Sequence, residues 1–475
     1  MRRALATATA LALIAIAGCG GSGEEAGSDS ETLAASTAAT PAKLGPCRTQ
    51  PGVPGFRCGT IEVPKYRSDP GRGSFEIGFA VRERNDAGEP SQGAIFAVEG
   101  GPGYASTTTA ATYQNLFRSL LDHRELVLVD MRGTGLSGPI ACPGVQRGTA
   151  PEWIGLGECA RRLGGDFEAY ATGAAAEDID AVRAALGYER MALYGDSYGT
   201  FLGQSYAYRH PDRLEAVVLD GAYPVQGESP WYPSLIRSGN RDFVTACDRS
   251  PACPPGAAKR LRRQAEAMRD RGMNAGTLID AIADAAYGPP QSYLDVEAAG
   301  RALLNGDEQP WIDLNANLRV AYEHPHRYDY ATELVVGCND YPMIWDKSAS
   351  EPERRAQLED AIRAHDPDAF LPFTPREVAV GSTVGYLECL TWPQPTDLYE
   401  PPVPDGAEPT DAPVLVVNGE LDDLTTPREG ATVAAEFPSS QRFIGRNAGH
   451  VDALYNAAGP SARTIRRFLR EQLGG

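Results

Sequence analysis

Met191-Ala192-Leu193-Tyr194-Gly195-Asp196-Ser197-Tyr198-Gly199-Thr200-Phe201-Leu202 decides how this chain is read. Four apolar residues bounded by glycine read as a strand, Gly-x-Ser-x-Gly follows, and a helix-compatible run, Tyr198 to Arg209, comes next. A strand-to-helix turn this sharp needs small residues on either side of its serine, and it lifts the hydroxyl above a sheet at the positive end of a helix. A chance match in a glycine-rich loop would lack both flanks. Ser197 is therefore the candidate nucleophile.

Outward from this stretch, short apolar runs alternate with helical patterns, as in a mostly parallel sheet wound with helices on both faces. Strands are expected at Phe75 to Val81, Ala94 to Val98, Leu126 to Asp130, Met191 to Tyr194, Val217 to Asp220, Val414 to Asn418 and Arg442 to Ile444. Helices are expected at Tyr113 to His123, Glu177 to Leu186, Tyr198 to Arg209, Arg428 to Glu436 and Ser461 to Gln472. From 223 to 394 the strand signal fades into helix-prone sequence punctuated by Pro and Trp, which reads as an inserted helical cap. Residues 46–222 and 395–475 are then the two parts of the sheet-bearing core.

A serine hydroxyl is a weak nucleophile until a base takes its proton. Of six histidines, His123, His210, His324, His326 and His365 sit in helical or cap segments beside charged residues or proline, where solvent exposure is the expected role. His450 follows Asn447-Ala448-Gly449 just beyond the last expected strand, where small neighbours let a loop carry an imidazole over the sheet. The acid that orients it should follow Val414 to Asn418, in Gly419-Glu420-Leu421-Asp422-Asp423. Asp422 is preferred, because Asp423 is better placed to cap the turn toward Pro427. Glu99-Gly100-Gly101-Pro102-Gly103, after another strand, supplies glycines that let backbone approach a substrate, and the amides of Gly101 and Tyr198 are the expected oxyanion donors. Gly133-Thr134-Gly135-Leu136-Ser137-Gly138 matches a dinucleotide fingerprint, but Pro139 and Pro143 would break the helix such a motif opens.

Together, Glu99 to Gly103, Asp130-Met131-Arg132-Gly133-Thr134-Gly135-Leu136-Ser137, the Gly195 to Gly199 turn, Gly419 to Pro427 and Gly449-His450 resemble the tripeptidyl-aminopeptidase and prolyl-aminopeptidase branch of the α/β-hydrolases, over roughly residues 45 to 475. The resemblance implies an α/β-hydrolase fold and a Ser-His-Asp acyl-enzyme mechanism that needs no metal or cofactor. It also implies a short peptide as substrate, admitted beneath the cap. Prolyl aminopeptidases usually begin the oxyanion loop with histidine, and Glu99 is closer to the tripeptidyl group. An esterase or amidase on small acyl substrates is the rival reading, and a lipid-anchored binding protein a remoter one. An aminopeptidase must hold a desolvated ammonium, for which Glu99, Glu333 and Asp340 are the candidate carboxylates.

The chain has 475 residues and a formal charge of −19, which argues against nucleic acid or anionic membrane surface as a partner. Arg2 and Arg3 precede an apolar run, Ala4 to Ala17, too short to span a bilayer, so residues 1–18 read as an export signal. Ile16-Ala17-Gly18-Cys19 resembles a bacterial lipobox, with Cys19 the lipidated residue and 19–45 a Gly/Ser/Glu/Ala tether to the membrane. Nine cysteines less Cys19 leave an even number for an oxidising compartment. Spacing suggests Cys47 with Cys58, Cys142 with Cys159 and Cys247 with Cys253, leaving Cys338 and Cys389.

Overall fold

The computed structural model describes residues 42–47, 55–146, 152–226, 233–318, 326–379 and 387–474. The export signal, Cys19, most of the tether and His324 lie outside the described residues. Nine strands form one sheet in the order β1-β2-β3-β5-β4-β6-β7-β8-β9. They are β1 (Gly45–Pro46), β2 (Phe56–Pro64), β3 (Ser74–Arg82), β4 (Ala94–Val98), β5 (Glu125–Val129), β6 (Met191–Asp196), β7 (Leu214–Asp220), β8 (Val414–Gly419) and β9 (Ser440–Gly445). The first three and β5 pair antiparallel, and from β5 through β4 to β9 every pairing is parallel. The fold is that of the α/β-hydrolases.

The parallel strands are legible as apolar runs because both their faces are covered. Alternate residues go to opposite sides: Ala94, Phe96 and Val98 pack with α4 (Thr172–Ala185), α5 (Tyr198–Arg209) and α14 (Pro427–Glu436). Ile95 and Ala97 pack with α1 (Ala110–Phe117), α15 (Asp452–Tyr455) and α16 (Pro460–Leu473). β1 and β2 were not expected from the sequence. In β2 exposed and half-buried residues interrupt the buried ones, so an edge strand leaves no continuous apolar run. The helix expected through His123 ends at Phe117, and buried Leu120 and Leu121 continue the apolar pattern in turns.

Between β7 and β8 lie α6 (Pro233–Asp248), α7 (Ala257–Asp270), α8 (Gly276–Ala285), α9 (Gln291–Leu304), α10 (Gln309–Leu318), α11 (Tyr330–Asp340), α12 (Glu351–Ala364) and α13 (Pro375–Ala379), with no strand among the described residues. Their core also takes in Ile140, Leu156 and Phe167, from a helical excursion after β5 built on α2 (Pro143–Gln146) and α3 (Glu152–Leu163). Asp329, the N-cap of α11, accepts from Ile140 N at 2.7 Å and so ties the two parts. The Gly133 to Gly138 loop opens no long helix; it makes one turn, Gly135–Ser137, and Ser137 Oγ accepts from Gly78 N on β3. Disulfides join Cys47 to Cys58, Cys142 to Cys159, Cys247 to Cys253 and Cys338 to Cys389. Such bonds belong to an oxidising, extracytoplasmic compartment.

Candidate active site

Parallel strands put their carboxyl ends on one edge, and there β4 and β6 are neighbours with Val98 opposite Gly195. The loop after β4 therefore meets the turn after β6. Ser197 has φ 51° and ψ −122°, a strained conformation for a non-glycine residue. Its flanking glycines are required by close approach: a Cβ on Gly195 would lie 2.0 Å from Gly199 O, and one on Gly199 would lie 2.3 Å from Val98 O. Ser197 N donates to Asp220 O at 2.8 Å. Tyr198 begins α5, so its amide is one of those the helix leaves without an internal acceptor. Gly101 (φ +113°) turns the β4 loop, and a Cβ on Gly100 would fall 2.6 Å from Ser197 Cβ, so this backbone lies directly on the serine.

His450 and Asp422 are both buried, and Nδ1 of the imidazole stands 3.0 and 3.2 Å from the two carboxylate oxygens. Asp422 is held by its own turn, accepting from Leu424 N, Thr425 N and Thr425 Oγ1 at 3.1, 2.9 and 2.7 Å. Thr425 Oγ1 is also 3.1 Å from His450 Nδ1. With Nδ1–H directed at the carboxylate, Nε2 is left as the proton acceptor. His450 reaches the elbow's side of the sheet: a Cβ on Gly221, just past Asp220, would be 3.3 Å from its Cε1. The helical layer grips the same loop, since His450 N donates to Ala286 O at 2.6 Å. No hydrogen bond joins Ser197 Oγ to the ring among the described residues, and such bonds commonly tighten only with substrate in place.

Asp423 does not cap the following helix. Thr426 caps α14, in a reciprocal pair with Glu429, while Asp423 is buried with one oxygen unpaired, its carboxyl pushed up by burial and by Asp242. The three candidate ammonium ligands are placed differently. Asp340 is committed elsewhere: Thr172 N and Oγ1 donate to one oxygen at 2.7 and 2.5 Å, and Tyr399 Oη to the other at 2.9 Å, an anchor for the start of α4. Glu99 accepts from Tyr113 Oη at 2.9 Å and lies beside Asp196. Glu333, in the first turn of α11, is half-buried, and its charge acts on the phenols of Tyr104 and Tyr287. Tyr287 is 53% exposed yet packs edge-on against the His450 ring at 5.1 Å, so a large aromatic is left open to solvent beside the imidazole.

His123 and His326 are exposed, and half-buried His365 packs on Phe370. His210, half-buried like His365, also departs from the expectation of exposure: its ring lies tilted against Tyr206 and 3.3 Å from Glu177, at the end of α5. Among the described residues the one cluster with metal-ligand spacing is Cys247, Cys253 and Glu297, whose two sulfurs are joined in a disulfide. Thr425, Tyr287 and Tyr113 escaped the sequence reading. Thr425 had a signal, an acid followed at the third residue by a hydroxyl, which is the pattern of a self-capped Asp turn. Tyr287 and Tyr113 had none, because only packing brings them to the site.

Residues 93–238 match the model of the alpha/beta hydrolase fold, and 377–472 that of the TAP-like protein. The chain is 25% identical over 458 residues to serine protease Hip1 of Mycobacterium tuberculosis, covering 84% of this chain and 83% of that protein. It is 26% identical over 449 residues to tripeptidyl aminopeptidase of Streptomyces lividans, covering 83% and 78%. Among solved structures, proline iminopeptidase of Mycobacterium smegmatis superposes with a TM-score of 0.38 at 16% identity, covering 87% of this chain and 98% of that one.

Proposed function

From the premise that the chain is a serine hydrolase of the α/β-hydrolase fold with a TAP-like closing segment, we propose that it is an exported aminopeptidase releasing short N-terminal peptides, of tripeptidyl type, through Ser197, His450 and Asp422. The observation that carries the reading is the buried 3.0 Å bond between His450 Nδ1 and Asp422 beside a serine held at positive φ. Nε2 takes the Ser197 proton as Oγ attacks the peptide carbonyl, and the Gly101 and Tyr198 amides receive the oxyanion. Nε2–H then protonates the leaving amine, and water releases the acyl peptide by the same route in reverse.

For the ammonium of the substrate, Glu333 is the candidate favoured by position, since its charge reaches Tyr287, which touches His450. Residues 223–394 act as the cap that admits short peptides, and Cys19 carries a lipid that tethers the enzyme to the membrane. The test is a hydrolysis panel of tripeptidyl, dipeptidyl and single-residue amides, each with free and acetylated N-termini, beside short-chain esters. Glu333→Gln should raise KM for free-amine tripeptides about tenfold and leave acetylated substrates and esters nearly unmoved. Equal cleavage of free and acetylated peptides by the wild type would remove the clamp in favour of an esterase or amidase. An intact Cys19→Ala protein still held in the membrane fraction would remove the anchor.

A further inference from the structure

Tyr113 Oη lies 2.9 Å from Glu99 Oε2 and 2.6 Å from Asp196 Oδ1. A phenol has one hydrogen and donates it to one acceptor, so with both carboxylates ionised the second contact would be bare oxygen against oxygen. Glu99 and Asp196 are also close enough that each carboxyl acts on the proton affinity of the other. The partners belong to different parts of the site. Glu99 immediately precedes the Gly100-Gly101 backbone that lies on the serine, Asp196 immediately precedes Ser197, and Tyr113 is a fully buried residue of α1.

We propose that Glu99 and Asp196 hold one proton between them, and that this proton fastens the Glu99 to Gly103 loop to the Ser197 turn, so that the oxyanion site is assembled only while the pair is singly protonated. The proposal rests on Ser197 as nucleophile and Gly101 as oxyanion donor. Glu99 and Asp196 are positioning residues, acting through the backbone they begin or precede. Two carboxylates meeting at one phenol, Asp196 buried and Glu99 half-buried, cannot both ionise cheaply, because each raises the proton affinity of the other. Burial raises both carboxyls here, that of Asp196 far above the ordinary range, with Glu99 the next cause.

The groups facing the pair reinforce this. From β7, Asp220 adds negative charge, and its own carboxyl is pushed up to about 7 by burial. Asp130, past β5, feels Glu99 as a like charge; Tyr194 of β6, Tyr104 and Tyr455 of α15 are neutral phenols near it. Thr109 acts to lower the Glu99 carboxyl, and the cation acting on Glu99 is Arg327, which makes no ion pair with it among the described residues. The surroundings thus favour one negative charge over two. As pH rises the pair becomes doubly ionised, the contact between loop and elbow turns repulsive, and acylation falls.

The test is the rate of fluorophosphonate labelling at Ser197, and of hydrolysis of a neutral ester, across pH; neither reagent has an ammonium to lose. The wild type should lose about tenfold or more on an alkaline limb. Glu99→Gln, whose amide donates to Asp196 at every pH, should lack that limb or move it by at least one pH unit, whatever its plateau. A variant sharing the wild-type limb overturns the proposal, as does a wild type with no limb. Asp196→Asn is the second variant should Glu99→Gln fail to fold. Infrared difference spectra read the proton without turnover: a buried protonated-carboxyl band in the wild type that is missing from either variant supports the pair, and its absence in the wild type overturns it. That measurement separates failure of the pair from failure of the Ser197 reading, in which labelling is absent at every pH.

Discussion

At Asp422 one carboxylate accepts from a threonine hydroxyl and two backbone amides and still faces an imidazole. This arrangement locks the imidazole tautomer, so Asp422→Asn should lower kcat about ten-thousandfold, whereas Ser197→Ala and His450→Ala should each cost on the order of a millionfold. Asp423→Asn should stay within about tenfold of wild type, since that carboxyl has no hydrogen bond to the imidazole. A crippled Asp423→Asn beside an active Asp422→Asn would reverse the assignment. Thr425→Val keeps the shape and removes one hydroxyl bond to the acid, a loss of about 1–2 kcal/mol, or roughly tenfold in kcat/KM. Single-turnover rates on an ester substrate measure all five changes.

Between elements, the Asp130-Met131-Arg132 segment is a structural knot. Asp130 receives Thr107 N, Thr107 Oγ1 and Leu136 N, and so fixes the segment that follows the Glu99 to Gly103 loop. Arg132 grips Asp178 of α4 through two bonds of 2.7 Å, both residues being buried. Arg132→Ala would leave buried Asp178 with Arg67 as its cation, at 2.7 Å, and should cost up to about 3 kcal/mol in urea unfolding, with the Asp178→Asn companion recovering part of it. On the helical layer, Cys338 of α11 and Cys389 close a loop of sequence separation 51. Replacing both by serine should remove up to about 4 kcal/mol on chain-entropy grounds. Peptide mapping without reduction checks the pairing itself: free thiol at two or more of the eight cysteines would undo it.

Over the whole molecule, burial outweighs the local partners of several carboxyls, even at Asp242, which Arg241 meets at 2.9 Å. Burial pushes Asp130 up to about 6 and Asp220 and Asp242 up to about 7. A carboxyl whose folded value is raised binds its proton more tightly when folded, so its contribution is complete below the unfolded value and is lost as pH rises through the folded one. Glu420, lowered to about 2 first by its bonds to Arg249, acts in the opposite sense, contributing above its unfolded value and fading as pH falls toward 2. The urea midpoint should therefore peak at mildly acidic pH, near about 5, and decline toward pH 8, with Asp220→Asn flattening the decline. A midpoint rising steadily from pH 5 to 8 would contradict this. The formal charge of −19 adds self-repulsion in the same direction.

The candidates Ser197, Asp422 and His450 could be picked out along the chain because each sits in a local pattern with a local cause: a turn that only glycine neighbours permit, or a loop that follows a buried apolar strand. The parallel strands were legible for a related reason, being buried on both faces, and β2 was not, because two of its nine residues are buried and the rest are exposed or half-buried. What only the tertiary structure decided is where the other carboxylates went. Asp340 reads as a cap acid near a cysteine, yet Thr172, 168 residues away, donates to one of its oxygens and Tyr399 to the other. Glu99 reads as the start of an oxyanion loop, and β4 lying beside β6 is what delivers it to Asp196 and Tyr113. Short motifs carry their own steric requirements in sequence, whereas the proton affinity and partners of a buried acid depend on which distant elements pack around it.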